Sequence, residues 1–421
     1  MTAHPAQLLT LLLLGIASIG VLALALYLLY RTNRQRRVVL HPGNGRADLR
    51  TASGGDLVAV SVPASKPWRR TLVNGLAVCM LVGVFAGKYL VAVFYPSGAE
   101  PLDPTPLGVA KVRGASGANL QVVRYGADGA GPVLLFTHGW GADRRDWLYA
   151  IQSLQPGRSI VTWDLPGLGE SSPPANGDYT MPTLARDLDS VIASLGDRPV
   201  ILVGHSIGGM LNLEYARQFP QKLGGAVRGF VQANTTYTNP VMTKQNAERS
   251  AKLQEPVFEP LLDLVTWTSP VARALGWFAY QSGLAHLQLA SQSFAGAESW
   301  EQLDTMARYA YRSSPAVVAR GVRAMLDWDA TEVLPKIGVP TLIISGDEDV
   351  TTLPSASDRM ARDIRSAARV SIPDAAHLGP VEQHRAYADA IEGFASRVSG
   401  DGPPQVAAPA PGSIKARREP A

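Results

Sequence analysis

Hydrophobic positions fall into two regimes along this chain. From Leu8 to Tyr30 the sequence runs 23 residues without Asp, Glu, Lys or Arg. As a helix that stretch spans about 35 Å, enough to cross a hydrocarbon core of roughly 30 Å. No polar face interrupts it, which argues against a helix half-buried in a soluble core. Its basic flank follows the apolar run rather than preceding it, the reverse of a secretory signal. A second apolar stretch, Leu72 to Tyr95, contains Asn74 and Lys88 and reads as a second span. Lys88 lies near its end, where an ammonium group can snorkel to the interface. Gly75, Gly83 and Gly87 are placed to let the two helices pack closely.

After a Pro-rich connector over residues 96–108 the pattern changes. Short β-branched runs now alternate with longer amphipathic segments, which predicts parallel strands joined by crossover helices. The strand candidates are Leu120–Tyr125, Val133–Thr137, Ile160–Trp163, Val200–Val203, Gly229–Gln232, Leu342–Ser345 and Arg369–Ile372. Helices are expected over Arg145–Leu154, Pro182–Leu195, Ile207–Phe219 and Glu382–Val398. Between Asn234 and Val333 no central strand is visible, and aromatics such as Trp267, Trp277, Tyr280 and Tyr311 are frequent. That length is too great for a loop, so a helical cap is expected over about 235–330. The organisation is then a membrane anchor over 1–108, one α/β domain over 109–399, and a Pro-rich disordered tail over 400–421.

Charge sharpens the topology. Residues 31–70 hold nine Lys or Arg against Asp48 and Asp56, a net of +7 in a chain of 421 residues whose whole formal charge is +4. The remainder is therefore acidic on balance. By the positive-inside rule the basic loop is cytoplasmic, and two spans place everything after Pro96 on the extracytoplasmic side. The acidic body and the lack of zinc-ligand spacings exclude a nucleic-acid role. With Cys79 as the sole cysteine, no intrachain disulfide forms.

One pentapeptide carries candidate chemistry. Gly204-His205-Ser206-Ile207-Gly208 matches G-x-S-x-G and lies between a strand-like and a helix-like run, as a nucleophile elbow does. A neutral serine hydroxyl needs a base to take its proton and an acid to orient that base. Among seven histidines, His4 and His41 belong to the membrane portion, His286 to the cap and His384 to the final helix. His205 adjoins the serine but points away from it. His377 follows the last strand and is the candidate base. The acid is sought in Asp347-Glu348-Asp349, directly after Leu342–Ser345, with Asp374 a weaker rival. Backbone N–H groups of Trp140, in His138-Gly139-Trp140-Gly141, and of Ile207 are placed to form an oxyanion hole.

With these motifs the chain resembles the α/β-hydrolase family over roughly 109–398. The other segments that carry the likeness are Asp164-Leu165-Pro166-Gly167-Leu168-Gly169-Glu170-Ser171 and Pro340 to Asp349. The resemblance implies a mostly parallel eight-stranded sheet flanked by helices, with the cap inserted after strand 6. It also implies a Ser206-His377-Asp349 triad, the last Asp of the G-x-x-D pattern being the acid, and a reaction without metal or cofactor. Epoxide hydrolases and haloalkane dehalogenases in their usual form place Asp where Ser206 stands. The expectation is a membrane-anchored, multi-pass serine hydrolase acting on a small-molecule or lipid ester. The same triad also serves C–C bond hydrolases and perhydrolase-like enzymes, and a catalytically silent scaffold is the remaining alternative.

Overall fold

A computed structural model of the chain describes residues 5–33, 35–40, 58–63, 66–98, 104–127, 131–154, 157–243 and 247–400. Two long helices come first, α1 (Pro5–Asn33) and α2 (Pro67–Ala92), with the strands β1 (Gln35–Leu40) and β2 (Val58–Pro63) between them. The sheet that follows contains β3 (Gly108–Arg113), β4 (Asn119–Gly126), β5 (Val133–Thr137), β6 (Ser159–Trp163), β7 (Val200–His205), β8 (Val227–Ala233), β9 (Thr341–Gly346) and β10 (Ala367–Ile372). Its order is β10-β9-β8-β7-β5-β6-β4-β3, parallel except where β4 meets β3 and β6.

Helices cover both faces of this sheet. One face packs on α4 (Met181–Ala193), α5 (Ile207–Gln218) and α12 (Pro354–Asp363). The other packs on α3 (Leu148–Leu154) and α14 (His384–Ser399), preceded by the short α13 (Gly379–Glu382). Alternation within the central strands follows. Val200 and Leu202 of β7 face the α4/α5 side, and Ile201 and Val203 face α14. Strands buried on both faces read as continuous apolar runs, which is why β5, β6, β7 and β9 are fully buried. Parallel pairing brings the carboxyl ends of β5, β7, β9 and β10 to one edge, where ligands bind in open α/β sheets.

Between β8 and β9 the chain leaves the sheet as α6 (Ala247–Leu253), α7 (Glu259–Trp267), α8 (Ser269–Gln281), α9 (Leu284–Ser293), α10 (Trp300–Arg312) and α11 (Pro315–Leu326). This helical insertion follows the sixth strand of the large sheet.

Both N-terminal helices are long and apolar enough to cross a membrane, and most of their length is not covered by protein. Leu13, Leu24, Leu26, Leu72, Leu76 and Leu90 all stand exposed, unlike the side chains of a soluble core helix. The ends of both helices that adjoin the α/β domain pack on the cap. Gly87 is where α2 comes closest: a Cβ there would stand 2.4 Å from the Ser282 carbonyl oxygen. Helices α1 and α2 do pack on each other, with Asn33 bonded to Asn74 and Arg70, but Gly75 and Gly83 meet nothing within 4 Å, and the tight glycine contact of α2 is with the α8–α9 turn. Ser18 Oγ reaches Ser282 Oγ at 3.0 Å.

Lys88 is half-buried against the cap. Its Nζ donates to Tyr280 Oη at 3.2 Å, and Tyr280 donates to Asp304 Oδ1 at 2.8 Å. His286 and Arg308 also bond Asp304, at 3.0 and 2.5 Å. Burial pushes the Asp304 carboxyl up, but these hydrogen bonds outweigh it and hold the group below the usual carboxylate range.

Several elements depart from expectation. The second helix begins at Pro67 and ends at Ala92, so Tyr95 lies beyond it. Strand β3 is absent from the pattern of apolar runs, because it lies at the sheet edge with most of its residues exposed. Helix α12 is absent from it too, since only Ala356, Ser357 and Met360 of its ten residues are buried. The basic segment contains an antiparallel β1–β2 ladder in register from Gln35↔Pro63 to Leu40↔Val58. Residues 41–57, 99–103 and 401–421, which include part of that loop, part of the connector and nearly all of the expected tail, lie outside the described residues.

Candidate active site

Strand β7 runs straight into α5 through Ser206, whose φ of 54° and ψ of −119° put a non-glycine residue in a region that costs about 1–3 kcal/mol. Crowding around the turn enforces that conformation. A Cβ on Gly204 would stand 2.2 Å from the Gly208 backbone, and one on Gly208 would stand 2.5 Å from the Thr137 carbonyl oxygen. Only hydrogen fits at both positions, so strand and helix close tightly and the serine is driven outward at their junction. Ser206 N donates to the Ala233 carbonyl at 3.1 Å, and Thr235 Oγ1 donates to the Ser206 carbonyl at 2.6 Å, locking the turn to the end of β8.

His377 sits on the loop after β10. Its Nδ1 lies 2.9 Å from Asp349 Oδ2, and both side chains are essentially sealed from solvent. Asp349 accepts further hydrogen bonds from Thr351 N, Thr352 N and Thr352 Oγ1 at 2.7, 2.9 and 2.7 Å. A carboxylate only accepts, so the Nδ1 of His377 carries the proton and Nε2 keeps its lone pair. That Nε2 is buried and has no hydrogen-bond partner among the described residues. Burial lowers the His377 pKa below the ordinary histidine value, Asp349 opposing. Burial pushes the Asp349 carboxyl up, but the His377 contact and the threonine hydrogen bonds outweigh it and hold the group below the usual carboxylate range. Of the rival acids, Asp347, Glu348 and Asp374 are exposed. The Asp347 carboxylate accepts from Ser371 instead.

The loop after β5 supplies the other candidate groups. Ile207 opens α5, so its N–H has no intrahelical acceptor. Trp140 is buried, and its Nε1 donates to the Val318 carbonyl at 2.9 Å while its ring lies against Gly321. The indole therefore pins this loop to α11. His138 is committed to the backbone, its Nε2 accepting from Leu165 N at 3.0 Å.

A pair not visible in the sequence lies directly behind this cluster. His205 Nδ1 is 2.8 Å from Asp146 Oδ2, and His205 Nε2 is 2.9 Å from the His377 carbonyl oxygen. Both ring nitrogens thus face oxygens that can accept a hydrogen bond. Asp146 also accepts from Gly139 N at 3.1 Å, so one buried carboxylate ties the loop after β5 to the imidazole that supports residue 377. Burial pushes the Asp146 carboxyl up, yet the His205 charge and hydrogen bond bring it below its usual range. The 59-residue separation leaves no local signal for this pair. Replacing Asp146 with alanine leaves the buried His205 Nδ1 and Gly139 N without their partner and is expected to cost about 1–3 kcal/mol for each. A depressed carboxyl stabilises the fold above its unfolded value near 3.9 and loses that contribution as pH falls. Chemical denaturation of D146A beside the wild type checks this: the gap is expected to be widest near pH 7 and to shrink below about pH 4.

The sequence pattern of the alpha/beta hydrolase fold matches residues 132–383, well over half of the chain. The chain belongs to the alpha/beta hydrolase fold family. This alpha/beta hydrolase is 26% identical over 285 residues to a proline iminopeptidase of Saccharolobus solfataricus, covering 67% of this chain and 90% of that protein. It is similar in structure to a thermophilic esterase from Thermogutta terrifontis, with a TM-score of 0.56 at 24% identity over 69% of this chain and 99% of the other. A membrane phospholipase A described as a bacterial virulence factor gives a TM-score of 0.54 at 23% identity, over 79% of this chain and 98% of that one. At such identities the two solved structures share the hydrolase fold with it.

Proposed function

We propose that this alpha/beta hydrolase is a membrane-anchored serine esterase whose substrate is a hydrophobic acyl ester. The observation that carries the reading is the lone pair on His377 Nε2. It is fixed by a proton held on Nδ1 against Asp349, and no other group among the described residues claims it. On this reading His377 Nε2 takes the Ser206 proton as Oγ attacks the ester carbonyl. The negative charge that forms on oxygen is met by the N–H groups of Trp140 and Ile207. His377 then protonates the departing alcohol, leaving an acyl-serine. Water, deprotonated by the same nitrogen, cleaves the acyl-serine to acid and restores the hydroxyl. Each oxyanion donor is typically worth about 2.7–4 kcal/mol in the barrier.

Supporting the anchor are two exposed apolar helices joined by a basic segment; on this reading, by the positive-inside rule, that segment faces the cytoplasm and the hydrolase domain the other side. Protease accessibility in sealed vesicles tests the orientation. Hydrolysis of p-nitrophenyl esters of graded chain length tests the reaction, and no turnover at any length would overturn it. The pH profile gives a sharper check. The base works only when neutral and its pKa is lowered. The acid limb of kcat/KM is therefore expected below the ordinary histidine midpoint of about 6.5. A midpoint above 7 contradicts the assignment.

A further inference from the structure

Two guanidinium groups on the cap, Arg273 of α8 and Arg312 at the end of α10, line one pocket with Trp277 and Tyr311. Both are exposed, and neither has an acidic or hydrogen-bonding partner among the described residues. Beside them, sharing Arg273 and Tyr311, lies an apolar pocket walled by Leu11 and Leu12 of α1, Ala272 and Gly276 of α8, and Val318 of α11. Its wall is bonded to the loop that carries Trp140. Ser313, which also lines it, donates to the Gly141 carbonyl at 2.8 Å, and the Val318 carbonyl accepts from the Trp140 indole.

Depth in the bilayer fixes what can reach this place. Tyr30 and Trp68 mark one end of the helix pair. Leu11 and Leu12 lie 18–19 residues from Tyr30, roughly 28 Å along α1. That is one hydrocarbon thickness, so the arginine pocket sits at the opposite interface, where lipid phosphates and aromatic belts lie. Of the cap helices that pack on α1, α7 and α8 also expose Leu264, Trp267 and Val271, an apolar face suited to the bilayer surface. A cationic pair at phosphate depth, continuous with an apolar slot between anchor and cap, matches a molecule with a phosphate at one end and an acyl chain at the other.

We propose that Arg273 and Arg312 bind the phosphate of a glycerophospholipid whose acyl chain enters the pocket between α1 and the cap. The proposal deepens the esterase reading and rests on it for the fate of the lipid, whereas the binding site itself does not. Two arms separate them. In the first, the full-length Ser206→Ala chain in detergent is titrated calorimetrically with dihexanoyl phosphatidylglycerol, dihexanoylglycerol and inorganic phosphate. The phospholipid is expected to bind at least tenfold more tightly than either. Equal binding of the neutral lipid overturns the phosphate site, and equal binding of inorganic phosphate overturns the lipid.

In the second arm, the wild type, R273A/R312A and R273K/R312K are compared for hydrolysis of the same two lipids. The ratio of phospholipid to neutral-lipid rates is expected to fall at least tenfold in the alanine pair, chiefly through KM, and to recover in the lysine pair. An unchanged ratio, or a fall that lysine does not restore, overturns the proposal. A wild type inert on both lipids overturns the esterase reading alone, while the binding arm still decides the site.

Discussion

Replacing Ser206 by alanine is expected to leave the chain folded and to remove ester turnover almost completely, by about 10⁴–10⁶-fold in kcat. The fold survives because the oxygen lost contributes nothing to the elbow. The turn is held by Ser206 backbone bonds to Ala233 and Thr235 and by the contact of Gly204 with Gly208, all of which alanine keeps. What remains is the background that oxyanion donors and binding give without a nucleophile. A fluorophosphonate probe, which needs an activated serine, is expected to label the wild type and not S206A. Undiminished labelling of the variant would remove Ser206 from the mechanism.

Exchanging Asp349 for asparagine is the next largest expected effect, a loss of about 10⁴ in kcat with geometry preserved. An amide in that position can present its N–H₂ to His377 Nδ1, stabilising the tautomer whose lone pair points away from the serine. The threonine bonds to Oδ1 persist, so thermal stability is expected to fall far less than turnover. Asp347→Asn is the matched control: that carboxylate is exposed and bonded to Ser371, and turnover is expected to stay within about twofold. Measured side by side on one soluble ester, equal losses in the two variants would withdraw Asp349 from its role.

How much of the fold and the site is legible in the amino-acid sequence depends on whether the determining contacts are local. The elbow is local: steric demand on a few consecutive residues forces Gly-x-Ser-x-Gly, so Ser206 is visible at once. The buried central strands are visible because both faces are apolar. Edge strand β3 and surface helix α12 escape because their residues, mostly exposed, carry no periodic apolar signal. Choosing among Asp347, Glu348 and Asp349 by spacing is not feasible, since all three share one turn and only the direction of the side chain separates them. Asp146 and His205 escape for a different reason. Their partnership exists only because β5 and β7 are neighbours in the sheet.

The chain of bonds from Lys88 through Tyr280 to Asp304 has a mechanical corollary. On the membrane reading, α2 is moored in lipid and fastened to the roof of the catalytic chamber, so that roof cannot swing free on its own hinges. Access is then governed by how the body beneath rocks against a stationary canopy, and a clipped enzyme lacking both helices would lose its ceiling's support along with its mooring.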